Sequence, residues 1–212
     1  MIFDRPFPFL RKGQVLSNKD EDANEEKGKQ RGNDFVGKLL KTRTIMVTDE
    51  VSKKMAQQIM TQLVLLEEEN NDDIKMFINS PGGDADAGFA IYDMMRFVKP
   101  KIKAICAGVV ASAAVIILLG AQKENRFSLP SARILIHQPS TGIHGTASDI
   151  QIEANEILKC REKINRLISE ETGQAVEKVE SDTKRNFWMS AEEAIKYGLV
   201  NKIIRTSDGL KV

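Results

Sequence analysis

Two cysteines, Cys106 and Cys160, are the only thiols among 212 residues, too few for a disulfide framework. Both fall in apolar or helical stretches, where a free cysteine ordinarily packs as a buried, reduced side chain. Histidine is as scarce. His137 and His144 have no second His or Cys at ligand spacing, which argues against a dedicated zinc site. Net charge is almost absent, with 31 basic against 30 acidic side chains, so no nucleic-acid partner is expected. A continuous apolar signal core is missing too. Phe3, Phe7 and Phe9 are interrupted by Asp4, Arg5, Pro6 and Pro8, and the acids that follow do not suit a mitochondrial leader. These absences lead us to expect a cytoplasmic protein. What is present is ordinary globular material, 42% hydrophobic and 29% charged.

Residues 1–34 read as a flexible N-terminal arm with an apolar tip, or as a tail without a role. The folded domain is expected over 35–212. Lys41 to Val47 suggests a strand. A helix capped by Thr48 or Asp49 follows to about Glu69, with Val51, Met55, Ile59, Leu63 and Leu66 on one face. Strands are expected at Ile74–Asn79, Lys101–Cys106, Arg133–His137 and Leu199–Ile204. Helices are expected at Ala87–Val98 and at Ser148–Glu170, the latter stopped by Gly173. Ser190 with Glu193 forms a capping box for a last helix ending at Gly198. The alternation predicts an α/β fold with a largely parallel sheet. One stretch, Ala104 to Ala121, runs 18 residues without a charge. It is either a minimal membrane span or a buried strand, a turn at Gly108 and a buried helix.

Three features could carry chemistry. Ser112 stands where the buried helix would begin, as a helix cap or as a nucleophile. Ser80-Pro81-Gly82-Gly83 is a turn, or a place where backbone N–H groups converge on an oxyanion. His137, at the end of RILIH, is a core residue or a general base.

Taken together these features are far more specific. INSPGG, a serine in an apolar stretch, IHQP, a long polar helix and then DTKRNFWMSAEEAIKYGLV resemble the ClpP family of self-compartmentalising serine peptidases, over about Leu39 to Ile204. Ser112 and His137 stand 25 residues apart, and 49 more lead to Asn186, the spacing of that family's triad. The resemblance implies a ClpP/crotonase-like fold of stacked βαβ units with a protruding handle helix, and it makes the apolar stretch a strand and an active-site helix rather than a membrane span. Ser112 would be the nucleophile, His137 the base and Asn186 the third triad member. Gly83 and Ala113 would supply the oxyanion hole. Thr141 to Gly145 and the long helix would form the handle, and Asp182 with Arg185 the charged pair at the ring–ring contact. Heptameric rings would stack into a tetradecamer, alone or mixed with a second ClpP. Unfolded polypeptides would be supplied by an AAA+ Clp unfoldase. The unfoldase uses ATP, and this chain needs no metal or organic cofactor. Another crotonase-type enzyme is disfavoured, because the Ser–His pair at this spacing does not belong to its chemistry.

The chain also departs from the pattern. Asn186 replaces the usual Asp, removing the charge that orients the histidine and stabilises the imidazolium. The expectation is therefore a peptidase weakly active alone, or a low-activity regulatory subunit activated in a mixed barrel. Asp182, if one helical turn from Asn186, offers a substitute carboxylate. Ala113 and Ala114 stand for Met and Gly after the serine. Asp84 and Ala85 stand for Ser and Val after the glycines, where Asp84 would repel acidic substrates or point to solvent.

Overall fold

The computed structural model describes residues 35–210, and the arm read over 1–34 lies outside the described residues. The main compact unit starts at Leu39. Helix α1 (residues 35–41) precedes strand β1 (Thr44–Val47). Next come α2 (Lys53–Glu69), β2 (Ile74–Ser80), α3 (Ala85–Phe97), β3 (Ile102–Ala111) and α4 (Ala113–Leu119). The chain continues through β4 (Arg126–Ser128), β5 (Arg133–Ile136), α5 (Ala147–Thr172), α6 (Val176–Thr183), β6 (Phe187–Ser190), α7 (Ala191–Tyr197) and β7 (Lys202–Ile203).

Strands β1, β2, β3, β4 and β7 lie side by side in that order, all parallel. β5 joins the far half of β3 in parallel and carries β6 antiparallel on its other side. The alternation of strands and helices thus gives the α/β fold expected, and the apolar run becomes the end of β3 and all of α4. Every residue of α4 is buried. Among the described residues no helix is long and apolar enough to cross a membrane.

Several helix ends follow their local chemistry. The capping box at Ser190 and Glu193 forms, and Gly173 and Gly198 end α5 and α7 in left-handed conformations. The cap of α2 is Ser52, whose hydroxyl accepts from the Met55 N–H at 3.2 Å, and not Thr48 or Asp49. The residues between are held extended instead, because Val51 bridges to Gly83 and the Asp49 carbonyl accepts from the Ser80 hydroxyl at 2.6 Å. At its other end α2 is closed by Arg43, whose guanidinium donates to the carbonyls of Leu66, Asn70 and Asp72.

Gly108 is not a turn that ends the strand. β3 runs on through it as a bulge, with Ile78 opposite Cys106 but Ser80 opposite Val110. Gly108 has φ 64°, and a Cβ there would sit 2.5 Å from the Asn79 side-chain oxygen, which accepts from the Val109 N–H. Before the bulge β3 pairs with β4, and after it with β5.

Behind the sheet, Arg126 is wholly buried and ties α4 to α5. Its guanidinium donates to the carbonyls of Ala121 at 2.7 Å, Leu119 at 3.3 Å and Glu171 at 3.0 Å. It also pairs with the Glu171 carboxylate, which is shared with Arg96 and accepts from the Tyr92 hydroxyl. Removing one partner of such a buried pair strands the other charge. Arg126→Met is expected to lower unfolding stability by about 3–5 kcal/mol in a urea titration. A loss below about 1 kcal/mol would show that the cluster tolerates water in place of the guanidinium.

Candidate active site

The residue joining β3 to α4 is Ser112, with φ 56° and ψ −122°. A side chain rarely adopts this backbone, and holding it costs about 1–3 kcal/mol that the surroundings must supply. Ser112 receives that support from neighbours on two sides. Its N–H donates to the Leu135 carbonyl of β5 at 3.0 Å, and Val115 of α4 donates to its carbonyl at 2.9 Å. Its hydroxyl makes no helix cap, so the capping alternative fails and the oxygen stays available at the mouth of a cavity. A sharp strand-to-helix turn of this kind presents a nucleophilic oxygen above a sheet.

The SPGG loop is pinned against this turn. The Ser80 hydroxyl receives the Gly82 N–H at 3.2 Å. Gly82 has φ 92°, and a Cβ on it would lie 2.5 Å from the Ala111 carbonyl and 2.7 Å from the Ser112 Cβ. At Gly83 the bridge to Val51 uses the Gly82 carbonyl and the Asp84 N–H. In a parallel bridge the N–H of the central residue points away from its partner. The bridge therefore leaves the Gly83 N–H unspent, and Ala113, first residue of α4, has an N–H without a helical acceptor. Gly83 and Ala113 both line the cavity with Ser112. Two convergent backbone donors beside a hydroxyl are what an oxyanion needs.

His137 follows β5 immediately, half-buried, and lines the same cavity. The cavity holds about 260 Å³ and is walled by Val115, Ile116, Ile136, Ile164 and Ile168. Ile164 and Ile168, one turn apart on α5, were not singled out in the sequence. Their spacing marked them only as an apolar face, and only tertiary packing brings them to the site.

Asn186 is not part of that wall and is exposed. The β5–β6 ladder nevertheless aligns it. Ile136 faces Phe187 in the last pair of the ladder, so His137 and Asn186 each stand one residue beyond it. Among the described residues no hydrogen bond joins Ser112, His137 and Asn186. The structure thus brings two triad candidates and both oxyanion-hole candidates to one cavity and leaves Asn186 outside its lining.

Asp182 cannot stand in for the missing carboxylate. The helix ends at Thr183, so Asn186 is not on the next turn. The Asp182 carboxylate is taken by Lys178 at 2.6 Å and by the Tyr197 hydroxyl at 2.9 Å. Burial and that carboxylate raise the Tyr197 phenol above its usual range. Arg185 is exposed. Asp84 neither lines the cavity nor points freely to solvent. It caps α3, accepting from the Ala87 N–H at 3.0 Å. Ala85 and Ala113 do line the cavity, whereas Ala114 lies in the core. Cys106 is a core thiol that burial pushes up to about 12, and it takes no part in the site.

The Clp protease family model matches residues 26–207. The chain is 46% identical over 186 residues to the ATP-dependent Clp protease proteolytic subunit 3 of Rhizobium meliloti, covering 87% of this chain and 95% of that one. It is 48% identical over 187 residues to the proteolytic subunit 2 of Treponema denticola, covering 87% and 94%. Among solved structures, an asparagine-to-aspartate mutant of ClpP1 from Listeria monocytogenes superposes with a TM-score of 0.78 at 49% identity, covering 83% of this chain and 99% of that one.

Gly82→Ala is expected to lower the melting midpoint by several degrees, since the added methyl strains a positive φ and meets the Ser112 Cβ. An unchanged midpoint would show that the two loops can part without cost.

Proposed function

The chain belongs to the Clp protease family, and on that premise we propose that it is a serine endopeptidase subunit cleaving unfolded polypeptides inside a barrel. The observation that carries this reading is the strained Ser112 turn opening into one cavity with His137 and the free N–H groups of Gly83 and Ala113. His137 takes the Ser112 proton as the oxygen attacks a peptide carbonyl. The two N–H groups receive the oxyanion, His137 returns the proton to the leaving amine, and water then hydrolyses the acyl-enzyme. Every step is acid–base and nucleophilic chemistry of side chains and backbone, so the proposal includes no metal or organic cofactor. Heptameric rings stacked as a tetradecamer, an AAA+ unfoldase that spends ATP, and a cytoplasmic location belong to the same proposal.

A second reading, favoured by Asn186, makes this a subunit of low activity alone that gains activity in a mixed barrel. An asparagine amide offers His137 an acceptor but no charge, and its NH₂ group can also donate to the ring and favour the wrong tautomer. In a serine protease, aspartate-to-asparagine at this position lowers kcat by about 10⁴. For the ring–ring contact, the commitment of Asp182 to Lys178 and Tyr197 leaves Arg185 as the exposed member of the pair.

Intact-mass labelling of the assembled protein with a fluorophosphonate tests both readings. Slow modification is expected at Ser112, none in Ser112→Ala, and a rate at least roughly tenfold higher in Asn186→Asp. Labelling that survives Ser112→Ala removes the nucleophile assignment. Equal rates for wild type and Asn186→Asp remove the attenuation.

A further inference from the structure

His137 lies in the short gap between two backbone anchors. On one side Ile136 is in the ladder with Phe187. On the other, the Gln138 N–H donates to the Thr183 carbonyl at 2.7 Å and the Gln138 side-chain amide donates to the Lys184 carbonyl at 2.9 Å. The segment that anchors His137 on both sides, residues 183–187, also contains Asn186. Wherever Thr183 sits, the imidazole and its third partner are set with it.

Thr183 is itself held from the handle helix. Its side chain is buried at the end of α6, and its hydroxyl lies 2.8 Å from the Val179 carbonyl and donates to Asn165 Oδ1 at 3.0 Å. Asn165 is buried on α5, one residue beyond Ile164, which walls the cavity. Buried polar groups of this kind are kept satisfied at a cost, and an apolar side chain would fill the same space more simply. Gln138, Asn165 and Thr183 also line one small hollow of about 90 Å³ behind the catalytic loop.

We propose that Asn165 and Thr183 are positioning residues for His137, a hydrogen-bonded link that sets the imidazole against Ser112 and Asn186 from the handle helix. The proposal rests on His137 being the base. It gives the handle a direct hold on the catalytic geometry, so that movement of α5 is felt first at Gln138 and then at His137.

Thr183→Val keeps the shape and loses the hydroxyl, and Thr183→Ser keeps the hydroxyl. Both are made in the full chain, in wild-type and Asn186→Asp backgrounds. Fluorophosphonate labelling of Ser112 is expected to slow by about tenfold to 100-fold in Thr183→Val, the scale of a misplacement near 1 Å, and to recover in Thr183→Ser. The gain from Asn186→Asp is expected to shrink in the Thr183→Val background. Hydrogen exchange over Arg133–Ser140 is expected to accelerate in Thr183→Val alone, with β1 and β2 unchanged. Equal labelling and equal exchange for the two variants would overturn the proposal. Faster exchange spread evenly over β1, β2 and β5 would overturn it too, marking Thr183 as a general packing residue. Should Ser112 resist labelling in every background, the peptidase reading fails, and the exchange comparison still decides the positioning link.

Discussion

The site depends on a bulge in one strand. β3 is the only strand paired with β2, β4 and β5 among the described residues, and it pairs with β4 before the bulge at Gly108 and with β5 after it. Asn79 fills the space that a side chain at Gly108 would need, and its oxygen takes the Val109 N–H that the ladder releases there. Past the bulge Ala111 lies beside Leu135, and Ser112 comes within one hydrogen bond of the strand that leads to His137. A glycine four residues before Ser112 and the asparagine next to Ser80 thus mark where β3 changes its partner strand.

Around this crossing the charges are arranged in two groups. Arg126, Glu171, Arg96 and Tyr92 hold the C-terminal ends of α4 and α5 together, with the burial of a guanidinium offset by three carbonyls and a carboxylate. Lys178, Asp182 and Tyr197 form the other group, next to the turn that leads to Asn186. The cavity at Ser112 is apolar apart from Ser112, His137 and Ser140 among its side chains. Asn186 stands outside that lining and is exposed.

Much of this was legible because it is local. Ser190 with Glu193, Gly173 and Gly198 mark helix ends through short-range bonding, and the apolar strands β2 and β5 stand out by composition alone. Asp84 was legible in principle, as an aspartate just before a helix, but it was expected to repel acidic substrates or point to solvent rather than to cap α3. Four elements escaped. α1 has seven residues, β4 has three, α6 buries only Val179 and Thr183, and β6 exists because β5 offers it a partner. The resemblance carried by the motif order singled out Ser112, His137, Gly83 and Ala113, and these four line one cavity. The motif order could not give the walls Ile164 and Ile168, nor the alignment of Asn186 with His137, since both arise from pairing across long stretches of chain.

The bond from the Ser112 N–H to the Leu135 carbonyl has a mechanical consequence. It fastens the turn at Ser112 to the strand whose next residues are Ile136 and His137, so a displacement of β5 reaches both. Asn186 stands between a short unpaired stretch after α6 and strand β6, which is paired with β5. A bound peptide or a single exchanged atom pair at residue 186 therefore acts on His137 through the same few residues that carry Thr183.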